Sequence, residues 1–274
     1  MGVSYAEVIG DPVAHSKSPL IHNFWLRRLG IEGEYRATRV TADQLPSYLV
    51  RRRGDPDWRG CNVTIPHKQA IMPLLDERKI LREKAVNCVV REEGRLIGYN
   101  TDTTGIGRAL PKSVDTRRPV CIIGAGGAAH AAVAELDIRG VYQFNVIARD
   151  PAKAASLVAP YVEYGRTFAF DAAGEAIADC AGLINASPLG MAGFDPMPYA
   201  VLESLAKLSR GAFVLDLVYS PVRTALLARA EALGLLVGDG LTILEGQADE
   251  AFSLLFGMAP PPSHPAELRE LLTS

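Results

Sequence analysis

The feature that most constrains the fold is a run of glycines between two apolar segments. Gly124-Ala125-Gly126-Gly127-Ala128-Ala129 directly follows Val120-Cys121-Ile122-Ile123, so a G-x-G-x-x-A pattern stands between a predicted strand and a predicted helix. Glycines here allow a tight turn and a close approach of the backbone to a pyrophosphate, which the free N–H groups of the helix N-terminus can bind. The pattern favours a dinucleotide site at Gly124, Ala125, Gly126, Gly127 and Ala128; a glycine-rich turn without a ligand is the alternative.

The residues after this loop predict a doubly wound parallel sheet. Apolar runs rich in β-branched residues alternate with helical stretches from Val120 onward, which is typical of βαβ units. The predicted strands are residues 120–123, 144–148, 167–170, 182–185 and 213–217, and the predicted helices are 128–136, 152–158 and, near the end of the chain, 265–272.

The first third of the chain predicts a separate α/β layer. The predicted strands are residues 5–9, 35–40 and 60–65 with a hairpin of 86–91 and 95–99, and the predicted helices are 18–29, 41–53, 69–75 and 103 to about 110. Residues 111–119 carry three basic residues and two prolines, so this polar segment is the predicted hinge. A chain of 274 residues is long enough for two domains.

The composition excludes several classes of partner and favours a small molecule. The 29 basic and 31 acidic residues nearly balance, which gives no electrostatic reason to expect nucleic acid or an anionic membrane. The four cysteines form no C-x-x-C pair and have no histidine at metal-ligand spacing, so buried thiols are expected and no metal site is. Without a secretion or lipidation signal, the cytoplasm is the predicted compartment.

Charges of both signs follow the second predicted strand of the glycine-loop domain. Arg149, Asp150 and Lys153 stand where this fold meets the adenosine ribose, and there a basic residue favours a 2′-phosphate and an acidic one a free 2′-hydroxyl. Asp150 either accepts a hydrogen bond from that hydroxyl or caps the helix that begins near Pro151. Capping is the favoured interpretation, so Arg149 and Lys153 predict a preference for NADP over NAD.

Three further clusters of polar residues have two interpretations each. Lys68 stands at a predicted helix start, where a cation is mildly unfavourable, so it is either a solvated surface residue or has a compensating role. Asp102 precedes the next helix and is either its cap or a functional acid. Ser16 and Ser18 either cap a helix, the favoured interpretation, or bind a carboxylate or phosphate. The run Arg51-Arg52-Arg53 is interpreted as a solvated helix end.

Motifs along most of the chain resemble, in order, those of the shikimate dehydrogenase family. The resemblance extends from about residue 8 to residue 257 and includes several independent motifs besides the glycine loop. These are Gly10-Asp11-Pro12-Val13-Ala14-His15-Ser16-Lys17-Ser18-Pro19-Leu20-Ile21-His22-Asn23, Asn62-Val63-Thr64-Ile65-Pro66-His67-Lys68, Ala85-Val86-Asn87, Asn100-Thr101-Asp102, Asn185-Ala186-Ser187-Pro188-Leu189-Gly190-Met191, Asp216-Leu217-Val218-Tyr219, Asp239-Gly240-Leu241 and Gly246-Gln247-Ala248.

The resemblance implies an NADP-linked oxidoreductase that interconverts 3-dehydroshikimate and shikimate on the route to chorismate and the aromatic amino acids. It implies that Lys68 and Asp102 are the catalytic pair, and it places Leu217 and Gly240 at the nicotinamide end of the cofactor. The substrate contacts that it implies are Ser16, Ser18, Thr64, Asn87, Tyr219 and Gln247. A lysine beside a carboxylate can donate a proton to a ketone oxygen and stabilise the developing alkoxide.

The resemblance also implies a domain organisation. Residues 1–103 form a substrate-binding domain, residues 104–238 a Rossmann-type NADP-binding domain, and the helices of residues 239–274 return to the first domain, with the active site in the cleft. Ala148-Arg149-Asp150 stands where the NADP enzymes of the family tend to have Asn-Arg-Thr. This departure leaves open a paralogue that acts on quinate or an amino analogue. Separately, the same fold can serve as a ligand-sensing module without catalysis, and a homodimer stays open.

Overall fold

The structure is a computed structural model and describes residues 2–80, 84–161, 164–262 and 265–273. Its contacts divide the chain into two units. The first unit contains Met1–Asp102 together with Glu245–Ser274, and the second contains Thr103–Leu244. The polar segment of residues 111–119 thus lies inside the second unit.

The first unit contains a mixed sheet. Its strands are β1 (Ser4–Gly10), β2 (Gly33–Arg39), β3 (Trp58–Val63), β4 (Glu77–Arg78), β5 (Cys88–Glu92) and β6 (Arg95–Tyr99), in the order β2-β1-β3-β5-β6-β4. β1 pairs in parallel with β2 and β3, whereas β5 is antiparallel to both β3 and β6. The predicted hairpin is confirmed, and its turn contains Glu93 and Gly94, both at positive φ. β4 was not predicted.

Three helices follow strands of this sheet, and proline sets the bounds of two of them. They are α1 (Ser18–Leu29), α2 (Leu45–Arg53) and α3 (His67–Ala70), the last followed by a 3₁₀ turn at Met72–Leu74. α1 has its predicted bounds, with a proline in its first turn and Gly30 in the left-handed conformation at its end. The helix predicted over 69–75 is wrong, because Pro73 cannot continue an α-helix.

A buried acid shows that the interpretation of Arg51-Arg52-Arg53 as a solvated helix end is wrong for Arg52, whereas Arg51 is exposed. The Glu7 carboxylate in β1 accepts hydrogen bonds from Tyr48 Oη at 2.7 Å, from Arg52 Nε at 2.6 Å and from the Thr38 hydroxyl. Glu7 is completely buried, and a buried charge requires such partners. Arg52 therefore neutralises a core carboxylate.

The second unit contains the predicted doubly wound parallel sheet. Its strands are β7 (Val120–Ile123), β8 (Phe144–Ile147), β9 (Gly165–Phe168), β10 (Gly182–Asn185), β11 (Phe213–Asp216) and β12 (Leu236–Gly238), in the order β12-β11-β10-β7-β8-β9. The chain leaves β7 toward β8 on one side, and β10 to β12 lie on the other, so the order reverses beside β7. Ligands of such sheets bind at this switch point, outside the carboxyl ends of the strands.

The helices of the second unit flank this sheet. They are α4 (Asp102–Ala109), α5 (Gly127–Ile138), α6 (Pro151–Val158), α7 (Ala173–Ile177), α8 (Tyr199–Ser204) and α9 (Ala225–Ala232). Two apolar clusters pack against the sheet, one including Ile122, Val146 and Leu215 and the other Ile123, Leu183 and Val214. Alternate residues of the same strands thus pack into different apolar clusters, one on each face, as expected for a sheet buried on both faces.

Two helices complete the chain. They are α10 (Gly240–Phe256) and α11 (Pro265–Thr273). α11 contacts α1, where Lys17 Nζ donates to Leu272 O at 2.5 Å and Arg28 pairs with Glu267. All four cysteines are free and buried, which confirms the expected buried thiols. Within the described ranges, no helix has the length and apolar character that crossing a bilayer requires.

Candidate functional site

Polar residues of the first unit converge at one edge of its sheet. β1 and β3 are parallel neighbours, so their carboxyl ends lie at the same edge. β5 runs antiparallel to β3 with Cys88 opposite Asn62, and Tyr99 at the end of β6 lies opposite Cys88. The segments that follow β1, β3 and β6 therefore meet the segment that precedes β5.

Lys68 and Asp102 form an ion pair at this edge. Lys68 lies in the short helix α3, and its carbonyl oxygen accepts a hydrogen bond from Val86 N at 2.8 Å. Its Nζ donates to Asp102 Oδ2, and the two side chains are only 17% and 12% exposed. A largely buried ammonium is thus held by a carboxylate while a small part of it stays accessible. The interpretation of Lys68 as a solvated surface residue is wrong.

Asn87 fixes the orientation of that carboxylate. Its Nδ2 donates to Asp102 Oδ1 at 2.7 Å and to Thr101 Oγ1 at 3.0 Å, and its Oδ1 accepts from Thr101 N at 2.7 Å. Both oxygens of Asp102 therefore have donors, Lys68 on one and Asn87 on the other. Gln247 from α10 reaches the same cluster, because its Oε1 accepts from Thr101 Oγ1 at 3.4 Å.

Thr64 and the two serines lie on neighbouring segments. Thr64 N donates to Ile9 O at 2.9 Å, and a Cβ added to Gly10 would lie 2.4 Å from Thr64 Cγ2, so the segment after β1 packs against Thr64. The favoured interpretation that Ser18 caps α1 is wrong: the N-cap residue is Lys17, which makes no side-chain cap bond, and Ser18 is the first helical residue. Ser16 Oγ accepts from Ser18 N at 3.3 Å.

The hydrogen bonds of the described residues join only some of the predicted site residues of the first unit. They connect Lys68, Asn87, Asp102 and Gln247. Ser16, Ser18 and Thr64 stay outside this network, and the packing of Gly10 against Thr64 is what brings the serine-bearing segment toward the same sheet edge.

The glycine loop of the second unit fits a dinucleotide. Gly124 has φ 106°, and a Cβ added there would lie 2.9 Å from Ala186 O, so the turn requires glycine. Gly126 is the N-cap residue of α5, and a Cβ added there would meet nothing within 4 Å. The N-terminus of α5, with Gly127 and Ala128 in its first turn, therefore faces open space, where its free N–H groups can bind a phosphate.

Asp150 is the N-cap of α6, as the sequence favoured. Its Oδ1 accepts from Ala152 N at 3.0 Å and from Lys153 N at 3.1 Å. Arg149 stands beside it with a side chain that is 74% exposed, and its Nη1 lies 3.7 Å from Asp195 Oδ2. Two cations thus flank a carboxylate that is turned toward its helix.

Leu217 and Gly240 come together within the second unit. A Cβ added to Gly240 would lie 2.4 Å from Val218 O and 2.8 Å from Leu217 O, so the start of α10 packs directly on the segment after β11. Tyr219 follows on that segment, and burial raises the pKa of its phenol. Its hydroxyl is therefore neutral and able to donate a hydrogen bond at neutral pH.

Sequence reasoning assigned no role to several residues of these networks. Thr101 bonds both Asn87 and Gln247, and Asn62 Nδ2 donates to Asn87 O at 3.2 Å. Both stood in quoted motifs, which was the available signal. No signal in the sequence indicated that Asp195 lies beside Arg149, because the two are far apart in sequence. Across the described ranges, no group of three or more His, Cys, Asp or Glu residues could hold a metal ion.

Comparison with known proteins gives a consistent result along the whole chain. The family model described as the shikimate dehydrogenase substrate binding domain matches residues 8–89. A shikimate dehydrogenase (NADP(+)) from Sphingopyxis alaskensis is 48% identical over 98% of this chain and 97% of its own length.

Solved structures resemble both units. Shikimate 5-dehydrogenase from Thermus thermophilus, in complex with NADP(H) and shikimate, is 34% identical with a TM-score of 0.81, and the match covers 98% of each chain. Shikimate 5-dehydrogenase from Listeria monocytogenes, in complex with shikimate and NAD, is 29% identical with a TM-score of 0.83 over 98% of this chain and 96% of its own.

Proposed function

This chain belongs to the shikimate dehydrogenase family, and we propose that Lys68, Asn87 and Asp102 form its catalytic centre. The reaction is the reversible NADP-linked reduction of 3-dehydroshikimate to shikimate, an oxidoreductase step on a CH–OH group in the biosynthesis of aromatic compounds. The observation that carries the proposal is the ion pair of Lys68 and Asp102, whose carboxylate is held on its other oxygen by Asn87.

Reduction of the ring ketone requires a hydride at carbon and a proton at oxygen. Bound NADPH supplies the hydride. An ammonium carries three protons, and Asp102 accepts a hydrogen bond from one of them. Lys68 can therefore donate another to the substrate oxygen and stabilise the negative charge that develops there. In the oxidation of shikimate, the same Nζ accepts the proton from the hydroxyl.

Asp102 and Asn87 act on this step by position and charge. The carboxylate of Asp102 accepts a hydrogen bond from the Lys68 ammonium and so limits where that ammonium can lie. Asn87 donates to the other carboxylate oxygen at 2.7 Å, so the carboxylate cannot rotate away without losing that bond. The pair is thus prepared before substrate arrives, which lowers the cost of orienting the donor in the transition state.

Neutral donors are the proposed ligands of the substrate. Ser16, Ser18 and Thr64 carry hydroxyls on the segments that follow β1 and β3, and such hydroxyls with backbone N–H groups can bind a carboxylate. Gln247 and Asn87 offer amide groups to the ring hydroxyls from the cluster they share. We also propose Tyr219 as a substrate donor, consistent with burial that raises the pKa of its phenol.

The proposed cofactor ligands lie along the carboxyl edge of the second sheet. The backbone of Gly124 to Ala128 would hold the pyrophosphate, and Arg149 with Lys153 the 2′-phosphate. Leu217 and Gly240 would meet the nicotinamide end. Four free, buried cysteines are typical of a protein in a reducing compartment, so we propose the cytoplasm as its location.

Replacement of Lys68 tests the catalytic assignment. Lys68→Ala is expected to lower kcat for shikimate oxidation by roughly 10²- to 10⁴-fold, with a smaller change in KM, because general acid–base catalysis typically accelerates a reaction by a factor of that size. Formation of NADPH at 340 nm is the assay. Lys79→Ala, which removes an exposed lysine of the same unit, is the control and should retain wild-type kcat. A Lys68→Ala variant within threefold of wild-type kcat would show that the proton comes from elsewhere.

Substrate selectivity is tested in the same assay. Comparing kcat/KM for shikimate and for quinate, each with NADP and with NAD, distinguishes a shikimate dehydrogenase from a paralogue. The expected result is that kcat/KM for shikimate with NADP is the highest of the four values. A higher value for quinate would contradict the proposed substrate while leaving the Lys68 chemistry intact.

A further inference from the structure

Asp216 is a buried carboxylate to which the proposed mechanism gives no role. It is the last residue of β11 and is completely buried. Its Oδ1 accepts from Val218 N at 3.0 Å and from Asn185 Nδ2 at 2.9 Å, and its Oδ2 accepts from Thr224 Oγ1 at 2.6 Å. One side chain thus connects the end of β10, the segment after β11 and the start of α9.

The segment after β11 is held on several sides. Leu217 N donates to Asn185 O at 3.0 Å, so the two consecutive N–H groups of Leu217 and Val218 are both anchored. On the opposite side, the backbone of Gly240 approaches Val218 O so closely that no side chain fits there. Val218 is itself buried. Residues 217–219 therefore have little freedom as long as Asp216 keeps its place.

Asn185 holds the loop that follows β10 in a similar way. Its Nδ2 also donates to Leu189 O at 3.0 Å, and its Oδ1 accepts from Ser187 N at 3.1 Å and Ser187 Oγ at 2.7 Å. The glycine turn packs on this loop, because Gly124 lies against Ala186 O. Asp216 and Asn185 thus connect the segment after β11, which carries the proposed nicotinamide contact Leu217, with the loop on which the glycine turn packs.

We propose that Asp216, supported by Asn185, is a positioning residue of the reaction: it fixes the segment that carries Leu217, the proposed nicotinamide contact, and Tyr219, the proposed substrate contact, without touching either ligand. The inference rests on the proposed function, which assigns those two contacts. A fully buried carboxylate is costly to keep unless every oxygen has a donor. Here all the donors come from segments at the carboxyl edge of the sheet, where the loops lack the regular hydrogen bonds of a strand.

The test compares three variants by steady-state kinetics, with activity expressed per folded enzyme. Asp216→Ala should lower kcat by about 10- to 100-fold, since a misplacement of about 1 Å can cost on the order of 10²-fold. Asp216→Asn should restore kcat to within about threefold, because the amide oxygen can still accept from Val218 N and Asn185 while its NH₂ donates to Thr224 Oγ1. Thr224→Ala removes only the bond to the other oxygen and the cap of α9, so it should lower Tm and leave kcat within about threefold.

A second readout separates positioning from stability. With NADPH deuterated at C4, Asp216→Ala should give a larger deuterium isotope effect on kcat than the wild type, because hydride transfer becomes more rate-limiting. Its preference for NADP over NAD should be unchanged, since Arg149 lies at the end of another strand. Asn185→Ala should lower kcat by about three- to tenfold, with the same increase in isotope effect and the same unchanged cofactor preference. This variant provides the test if Asp216→Ala does not fold.

The outcomes separate this inference from the function it rests on. A wild-type kcat and isotope effect in Asp216→Ala, or losses in Asp216→Ala and Thr224→Ala that both follow Tm alone, would overturn the positioning role. An inactive wild type, or full activity of Lys68→Ala, would instead overturn the proposed function.

Discussion

Replacing Arg149 by alanine should abolish most of the discrimination between NADP and NAD. Arg149 is an exposed guanidinium at the end of β8, and the neighbouring Asp150 carboxylate is occupied as the cap of α6. NADP differs from NAD only by the 2′-phosphate on its adenosine ribose. A cation that contacts this group therefore acts on one cofactor and leaves the other nearly unaffected.

The magnitude follows from four contributions. A charge-assisted hydrogen bond from Arg149 to a phosphate contributes about 1.5 to 3 kcal/mol, with the lower end suited to a side chain that is 74% exposed. Lys153, which is 68% exposed, adds about 0.2 to 1 kcal/mol, and releasing Arg149 from Asp195 costs a similar amount. Asp150 repels the phosphate by up to about 1 kcal/mol at a wet surface, and less because its Oδ1 accepts two backbone hydrogen bonds.

The Lys153 and Asp195 contributions nearly cancel, and Asp150 reduces the lower Arg149 value to a net of about 0.5 to 1.5 kcal/mol, which corresponds to about two- to tenfold in kcat/KM. Steady-state kinetics with shikimate and each cofactor would measure it. Arg149→Ala should bring the NADP:NAD ratio close to one while kcat/KM for NAD stays within about twofold. Arg210→Ala, an exposed arginine elsewhere in the second unit, should keep the wild-type ratio. A wild type that prefers NAD would refute the reasoning and would mean that Asp150 binds a 2′-hydroxyl.

Three further changes test other parts of the structure. Ser16→Ala should weaken shikimate binding by roughly 1 to 3 kcal/mol and therefore raise KM more than it lowers kcat. A larger change in kcat than in KM, measured by steady-state kinetics, would contradict a role in carboxylate binding. Asp195→Asn should raise the NADP:NAD ratio about two- to fivefold by freeing Arg149, and an unchanged ratio in the same assay would contradict this. Burial lowers the pKa of His22 to about 3, so below about pH 6.5 the unfolded chain binds a proton that the folded chain does not, and the free energy of unfolding should fall by up to about 1.4 kcal/mol for each unit that the pH is lowered from about 6.5 to 3. Urea unfolding at pH 7 and pH 5 should show a smaller loss of stability in His22→Phe, which keeps a ring stacked on Tyr35. An equal loss in the variant and the wild type would contradict this role of His22.

The sequence predicted the second unit well because its signals are local. Fully buried parallel strands appear as short apolar runs, and β7 and β10 have their predicted bounds. The strand predicted at 167–170 is wrong by two residues, since β9 is Gly165–Phe168, with pairing from Phe144 opposite Gly165 to Ile147 opposite Phe168. β12 has three residues, two of them exposed, which is too short a pattern to predict.

Contacts between distant residues could not be predicted from local pattern. Lys68 and Asp102 are 34 positions apart, and only the family resemblance related them. Nothing in the sequence placed Arg52 against Glu7, 45 positions away, so an arginine in a basic run was given the commoner solvated role. The cap at Asp150 was predictable because a cap depends on the residue and the helix that directly follows it.

The residues that fix the candidate site have a common location, and their chemistry explains why. Asn87 directly precedes β5, while Asn185 and Asp216 are the last residues of β10 and β11. At a strand end the backbone leaves the ladder, so its N–H and C=O groups need new partners while still buried. Short amide and carboxylate side chains supply such partners, and each then fixes the loop whose backbone it bonds. A buried polar residue at a strand end is therefore expected where a loop must hold one conformation for chemistry, because an apolar residue there would leave the loop backbone without partners.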